Sequence, residues 1–189
     1  MLSLTRPDPA ALDAVVADQE ARSLTYGDVG ATRGPLPGGY RHGRHTVELG
    51  QGDDLFRRAS EGLRRWQAHR RGGALVAPED AAVEEGQTVV LAVHVLAAYL
   101  TVACRIVYVV DQPGQFGFAY GTLPQHVIEG EECFRLERDD AGAVRFSVTS
   151  FLRPRSLLVR AGGPLVKVTD DLLVRRYLRG FRRHVAEEA

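Results

Sequence analysis

The segment FAYGTLPQHVIEGEECF, residues 118–134, concentrates the side chains of this sequence that could do chemistry. It contains one histidine, three glutamates and one cysteine among aromatic residues and a Leu-Pro turn. Side chains alternate between the two faces of an extended strand, so Glu132 shares a face with Ile128, Phe134 and Leu136. A carboxylate among apolar side chains needs a cation or a proton, and such groups cluster at functional sites. Glu132 is therefore the leading candidate for a catalytic or ligand-orienting residue.

Two structural interpretations of Glu132 stay open beside the functional one. The carboxylate could form a salt bridge with Arg105, which also falls within a largely apolar strand. Alternatively, a register shifted by one residue would turn Glu132 toward solvent. Arg105 is itself a candidate ligand-binding residue on the first interpretation.

His126 follows Pro124 in the predicted turn and is the second candidate for acid-base chemistry, because imidazole titrates near neutral pH. A solvated histidine in a turn is the structural alternative. The spacing of His126, Glu129 and Glu132 invites a metal site, but positions i and i+3 of a strand face opposite sides. We therefore predict no metal site and no cofactor. Four other histidines have no evident partner in the sequence: His42, His45, His69 and His94.

Aromatic side chains could form the wall of a ligand pocket beside Glu132. The candidates for this ligand-binding wall are Trp66, Phe118, Tyr120 and Tyr177. Trp and Tyr rings suit such a pocket because they combine an apolar body with a polar atom. Aromatic residues at this spacing are also typical of an ordinary hydrophobic core, so both interpretations stand.

Composition excludes several classes of protein. The 189 residues carry 24 basic and 24 acidic side chains. The chain therefore lacks the excess of positive charge that is typical of a dedicated nucleic-acid-binding protein. Its two cysteines, Cys104 and Cys133, are too few for a disulfide framework or a zinc cluster, and we expect buried thiols in a reducing compartment. The sequence shows no signal peptide and no apolar run of membrane-spanning length, so we predict a cytoplasmic protein.

The N-terminal part is predicted to contain a helix over residues 9–21 and a long ordered loop over residues 24–43. We expect Tyr26 and Tyr40 to pack beneath this loop, whose glycines lack the pattern of a phosphate-binding loop. A short strand at 44–50 follows the loop.

Residues 53–71 form the first strong helical pattern, with Gly62 on its apolar face. A glycine there indicates close approach of another element, and two short helices broken near Gly62 are the alternative. From residue 74 to 152 the period changes to two, which predicts a meander of antiparallel strands. In the strand at 116–122, one face is aromatic, whereas the other carries only Gly117, Ala119 and Gly121. Because this second face has almost no side chains, another part of the molecule can approach it closely.

The last helical pattern covers residues 156–185, with an interruption at Gly162-Gly163-Pro164. Its apolar face is predicted to comprise Leu173, Val174, Tyr177, Leu178, Phe181 and Val185. Arginines crowd the opposite face, among them Arg175, Arg179 and Arg183. This arginine stripe could bind RNA or anionic lipid, whereas a solvated face with ion pairs is the structural alternative.

This order of elements predicts an α+β domain in which a curved antiparallel sheet wraps around a long C-terminal helix, the helix-grip fold. We interpret residues 1–189 as a single domain. Residues 1–43 form its N-terminal helix and ordered loop, and residues 44–189 form its core.

Seven segments carry a resemblance to the domain-of-unknown-function nineteen-ninety family. They are TYGDVGATRG, LPGGYRH, RRWQAHR, CRIVYVVD, GFAYGTLPQHVIEGEECF, SFLRPRSLLVRAGGPLV and RRYLRGF. The resemblance covers nearly the whole chain from about residue 24. The architecture is also similar to the START-type, polyketide-cyclase-like (SRPBCC) superfamily, whose members hold apolar ligands between sheet and helix. That second resemblance implies a ligand cavity by analogy alone.

The leading hypothesis is a domain that binds an apolar or amphipathic small molecule between sheet and last helix, oriented by Tyr120, His126 and Glu132. An acid-base enzyme of cyclase or hydrolase type, using Glu132 and His126, is the first alternative. A module that binds RNA or a protein partner through the arginine stripe is the second.

Overall fold

The computed structural model describes residues 1–95, 97–155 and 163–187. The helices of this part are α1 (Pro9–Gln19), α2 (Asp53–Arg64), α3 (Gln67–Arg71) and α4 (Gly163–Glu187). Its strands are β1 (Leu2–Ser3), β2 (Arg41–Gln51), β3 (Ala74–Ala77), β4 (Thr88–Val95), β5 (Ala98–Gln112), β6 (Gln115–Thr122), β7 (Ile128–Arg138) and β8 (Ala143–Pro154). A short 3-10 turn spans Ala31–Arg33.

Seven of the strands form one antiparallel sheet in the order β2-β8-β7-β6-β5-β4-β3, and β1 pairs with β5. The meander predicted for residues 74–152 accounts for β3 to β8, and β2 pairs with β8 at the end of the sheet. The predicted α+β class and helix-grip architecture are confirmed. None of the helices in the described ranges is long and apolar enough to cross a membrane.

The sheet has two covered faces with different partners. The inner face carries the larger core, which the sheet forms together with side chains from α2, α3 and α4. The outer face is covered by α1 over β3, β4 and β5 through Leu12, Val16 and their neighbours. Further along the outer face, the loop that follows α1 packs on β7 and β8. The N-terminal segment therefore covers part of the side of the sheet that α4 leaves open.

The predicted helix over residues 53–71 is broken. Between α2 and α3, Trp66 takes a left-handed backbone conformation with φ of 60°. This residue is buried, and its indole Nε1 donates a hydrogen bond to the Ala81 carbonyl (2.9 Å). The prediction of one continuous helix is wrong, since fixing the indole in the core requires the chain to turn at Trp66. The break lies a few residues beyond Gly62, where the alternative placed it.

Helix α4 buries the predicted apolar side chains Val174, Tyr177, Leu178, Phe181 and Val185. Gly162 of the predicted interruption at Gly162-Gly163-Pro164 lies outside the described residues, as do all of residues 156–161 of the predicted helix; α4 begins at Gly163.

Glycines let α4 approach its neighbours closely. A Cβ on Gly62 would lie 2.8 Å from Nε2 of His184, and one on Gly180 would lie 2.6 Å from the Arg71 carbonyl oxygen. The close approach inferred from Gly62 is confirmed.

Candidate functional site

Glu132 lies on the inner face, as its alternation predicts, with 9% of its surface exposed. Strands β6 and β7 place Tyr120 directly opposite Glu132. The Tyr120 hydroxyl donates a hydrogen bond to Oε2 of Glu132 over 2.8 Å. The alternative in which Glu132 faces bulk solvent is therefore wrong, while a role in binding or catalysis stays a prediction.

His69 completes this arrangement from helix α3. Its Nε2 lies 3.2 Å from the Tyr120 hydroxyl, and the side chain is fully buried. Because the hydroxyl proton points to Glu132, Nε2 of His69 carries a proton and donates to the phenolic oxygen. The Nδ1 atom is then an acceptor, and it has no hydrogen-bond partner among the described residues. We call His69, Tyr120 and Glu132 the inner triad.

Burial sets the protonation states of the inner triad. It lowers the pKa of His69 to about 3, with Arg70 adding a smaller effect of the same sign. Desolvation, followed by the charge of Glu132, raises the pKa of Tyr120 well above its ordinary value. The same two causes raise the pKa of the buried Cys104 thiol. At neutral pH the imidazole, phenol and thiol near Glu132 are all uncharged.

Aromatic rings surround the inner triad. The ring centroid of His69 lies 4.5 Å from that of Phe134, 4.7 Å from Tyr177 and 5.0 Å from Trp66. Phe118 packs against Trp66 at 4.8 Å. The structure thus brings together Trp66, Phe118, Tyr120 and Tyr177, the four aromatic residues that the sequence singled out. A depression of about 370 Å³ also opens beside Trp66, between Arg64 and Arg70.

His126 and Arg105 do not belong to this cluster. His126 lies in the turn between β6 and β7, where its Nδ1 accepts a hydrogen bond from the Ile128 amide (3.2 Å). Burial of the ring lowers the pKa of His126 to about 3, which makes it a weak base at neutral pH. The imidazole near Glu132 is that of His69, which no pattern in the sequence singled out.

Arg105 points to the outer face, because alternation in β5 turns Cys104 and Ile106 inward. Its guanidinium donates to the carbonyl oxygens of Gln19 (2.9 Å) and Glu20 (2.7 Å) at the C-terminal end of α1. The interpretation that Arg105 forms a salt bridge with Glu132 or contacts a ligand at the inner face is wrong. Arg105 instead fixes α1 on the sheet.

A metal site at His126, Glu129 and Glu132 finds no support in the strand geometry. Glu129 turns away from Glu132 and forms an ion pair with Arg153. The described part of the chain contains no group of three or more His, Cys, Asp or Glu side chains that could hold a metal ion.

A second buried carboxylate, Glu131, lies on the outer face and was not singled out from the sequence. It is fully buried and accepts hydrogen bonds from the Tyr26 hydroxyl (2.7 Å), the Gly30 amide (2.6 Å), the Thr32 amide (3.0 Å) and the Thr32 hydroxyl. These donors lie about a hundred residues earlier in the chain. We call Glu131 with Tyr26, Gly30 and Thr32 the outer clamp.

The loop over residues 24–43 packs as predicted. Tyr26 contacts the bare position Gly121, where an added Cβ would lie 2.7 Å from the Tyr26 Cε1. Tyr40 packs edge-on against Phe151, at 5.0 Å between ring centroids. Cys104 and Cys133 are both buried free thiols, as expected.

The arginine stripe of α4 lies on the surface. Arg175, Arg179 and Arg183 are exposed. The Arg179 Nε donates to the Arg175 carbonyl oxygen (3.2 Å), and Arg176 donates to the His94 carbonyl oxygen (3.1 Å). These contacts fit the structural alternative of a solvated helix face.

Comparison with solved structures supports the fold. The chain is similar to an aromatase/cyclase, Zhui, from a Streptomyces species, with a TM-score of 0.56, 15% identity and coverage of 77% of this chain and 93% of that chain. It is also similar to a START superfamily protein from Mycobacterium smegmatis, with a TM-score of 0.55, 11% identity and coverage of 78% and 99%. At these identities the likeness concerns the fold.

Comparison of sequences shows the family. A UPF0548 protein of Deinococcus radiodurans is 36% identical over 193 residues, covering 95% of this chain and 96% of the relative. The family model for a domain of unknown function, DUF1990, matches residues 25–180. The chain therefore belongs to the DUF1990 family, as the resemblance of its segments indicated.

Proposed function

We propose that this protein binds a small apolar or amphipathic molecule against the inner face of the sheet, beneath α4. Proteins of the helix-grip superfamily typically bind small hydrophobic ligands at the corresponding place, and this chain has their fold. In our proposal, the inner triad recognises the polar end of the molecule and the surrounding aromatic rings contact its apolar body.

The observation that carries the proposal is the hydrogen-bonded series His69–Tyr120–Glu132 within an aromatic wall. A buried carboxylate is costly unless donors satisfy it, so a core without a polar function would favour an apolar residue at position 132. A carboxylate accepts hydrogen bonds, and the Tyr120 hydroxyl donates one to Glu132. In our proposal, the polar end of the ligand joins this hydrogen-bonded series with a hydroxyl or another neutral donor.

The same geometry selects against an anionic ligand. In our proposal Glu132 is ionised and accepts from Tyr120, so a ligand carboxylate would meet a like charge in surroundings of low dielectric, where such charges repel strongly. We therefore expect neutral alcohols to bind better than the carboxylic acids of the same chain length.

The protonation states favour recognition over proton transfer. An acid-base enzyme needs groups whose pKa lies near the working pH. The pKa of His69 is lowered to about 3 and that of Tyr120 is raised, so neither group exchanges protons readily at pH 7. We therefore prefer the binding function to the acid-base alternative.

Native mass spectrometry of the purified protein, followed by displacement of the neutral fluorescent probe N-phenyl-1-naphthylamine, tests the proposal. We expect 1-decanol to displace the probe at least about tenfold better than decanoate at pH 8, and Glu132→Gln to reduce this preference severalfold.

Tyr120→Phe and Tyr26→Phe form a matched pair, because each removes a phenolic donor to a buried glutamate. Only Tyr120→Phe should change the affinity for the alcohol. A protein that binds neither the probe nor a co-purified molecule would overturn the proposal. Equal effects of the two variants on affinity would also do so.

A further inference from the structure

The outer face carries a groove of about 640 Å³ over β5, β6 and β7, on the side of the sheet opposite the inner triad. A volume of this size accommodates a small molecule. Its lining includes Arg33, Tyr108, Val110, Gly117, Cys133 and Arg135. Charged groups therefore stand beside an apolar floor, and neither belongs to the proposed inner site.

Arg33 reaches the groove from the 3-10 turn Ala31–Arg33, which the outer clamp holds in place. Glu131 accepts hydrogen bonds from the amide and the hydroxyl of Thr32, the residue before Arg33. The Thr32 hydroxyl also lies 2.7 Å from the Tyr108 hydroxyl. This arrangement sets the Arg33 guanidinium over the Tyr108 ring, 4.0 Å from its centroid. The cation is thus positioned before any ligand arrives.

The charges around the groove leave Arg33 available. Asp111, the acidic residue in the lining, forms an ion pair with Arg64 at 2.7 Å. Arg135 donates from Nη2 to Gln115 (2.6 Å) and lies 3.3 Å from Glu137, so its guanidinium is held in a fixed position. Arg33 forms no ion pair within the described residues and is exposed. A guanidinium fork without an acidic partner suits a carboxylate or a phosphate.

The residues at the bottom of the groove determine which chemical groups the rest of the ligand can have. Val110 is paired with Gly117 across β5 and β6, and Cys133 lies opposite Ala119 on β7. The β7 backbone packs against the buried Gly117, so Val110 provides the apolar surface there. The buried thiol of Cys133 is uncharged because burial raises its pKa to about 11. A flat apolar body can therefore lie on these strands next to Tyr108.

We propose that the outer groove binds a small aromatic anion, with its carboxylate or phosphate on Arg33 and Arg135 and its ring over Val110, beside Tyr108. This second site prefers the opposite charge from the inner site, where Glu132 disfavours anions. It is independent of the proposed inner function, because the two sites lie on opposite faces.

Titration of ¹⁵N-labelled full-length protein with 2-naphthoate, 2-naphthyl phosphate and neutral 2-naphthamide tests this inference. We expect both anions to shift the amides of residues 108–117 and 133–135, and to bind at least about tenfold better than the amide compound. The relative affinity of the two anions distinguishes a carboxylate site from a phosphate site. Binding of the anions should weaken toward about 0.5 M salt.

Three variants make the test specific. Arg33→Gln should weaken 2-naphthoate about tenfold and leave 2-naphthamide unchanged. Arg57→Gln, at an exposed position on α2, removes the same charge away from the groove and should have no effect. Val110→Trp should block the groove without changing charge.

Three results would overturn the inference: shifts confined to the inner face, equal affinities for anion and amide, or wild-type affinity in both Arg33→Gln and Val110→Trp. None of these results would affect the alcohol preference expected at the inner site, so the two proposals fail separately.

Discussion

Glu131 and Glu132 are neighbours in β7, and the sheet turns them to opposite faces. Both are buried, but their surroundings differ: the outer clamp offers Glu131 four donors, two of them backbone amides, whereas Tyr120 offers Glu132 one hydroxyl. A carboxylate with many fixed donors acts as a structural anchor, since each donor ties a distant segment to the sheet. Glu132, which lies among neutral aromatic groups, is the carboxylate to which we assign ligand recognition.

The largest expected effect is a difference in unfolding free energy between variants of the two glutamates. Glu131→Gln replaces an acceptor by an amide group that faces four donors, and we expect a loss of about 3 kcal/mol in the free energy of unfolding. Glu132→Gln should cost about 1 kcal/mol or less, because the new amide can still accept from Tyr120. Urea unfolding of both variants measures the difference. Equal losses would contradict the division into anchor and recognition site.

The pH dependence of stability tests the inner triad. The pKa of His69 is lowered from 6.5 to about 3 in the folded protein, so the unfolded chain binds more protons between these values. Stability therefore falls as the pH is lowered through this window, with His69 contributing about 1.4 kcal/mol per pH unit.

His69→Gln should remove this part of the slope, as measured by urea unfolding between pH 6 and pH 4. His42→Gln, at an exposed position, is the matched control for replacing a histidine. An unchanged slope in His69→Gln would show that the buried imidazole does not control acid sensitivity. His126, whose pKa is also lowered to about 3, contributes in the same direction.

Gly121→Ala tests the outer clamp without replacing any of its hydrogen-bonding groups. The added Cβ would meet the Tyr26 ring, 2.7 Å from Cε1, and displace the donor from Glu131. We expect a loss of about 2 kcal/mol in unfolding free energy and faster hydrogen exchange at Gly30 and Thr32. Ligand binding at the inner face should be preserved, and its loss would show that the two faces are coupled.

The smallest expected effect comes from the two tyrosine donors. Tyr26→Phe should cost about 1.5 kcal/mol, because it leaves one donor fewer on a fully buried carboxylate. Tyr120→Phe should cost about as much, because it removes the hydroxyl that bonds both Glu132 and His69, and it should also weaken the binding of a neutral alcohol. Chemical denaturation and probe displacement on the same samples compare the two, and a reversed order of the binding effects would contradict the proposed function.

The sequence predicted what depends on local periodicity. Alternation alone placed Glu132 inward and left Gly121 open to close approach, and the spacing of the last pattern identified the buried face of α4. These features follow from backbone geometry that each segment carries by itself.

The sequence could not predict contacts that distant segments create. Glu131 has its donors in a loop about a hundred residues away, and Arg105 finds its acceptors at the end of α1. The turn at Trp66 changes the phase of the following residues, and this brings His69 into the core. A pattern read along one helix contains no information on such a turn, because the tertiary packing of the indole imposes it.

Helix α4 crosses the C-terminal end of α3 closely at Gly180, so a small change of tilt there moves the distant end of α4. The backbone of Arg71 and Gly72 touches the helix there, near its C-terminal end. About 17 residues, or roughly 25 Å of helix, extend from this crossing toward Gly163. A tilt of about 10° at the crossing therefore moves the far end by roughly 4 Å. Bulk added at Gly180 would therefore displace the part of α4 that covers the inner face.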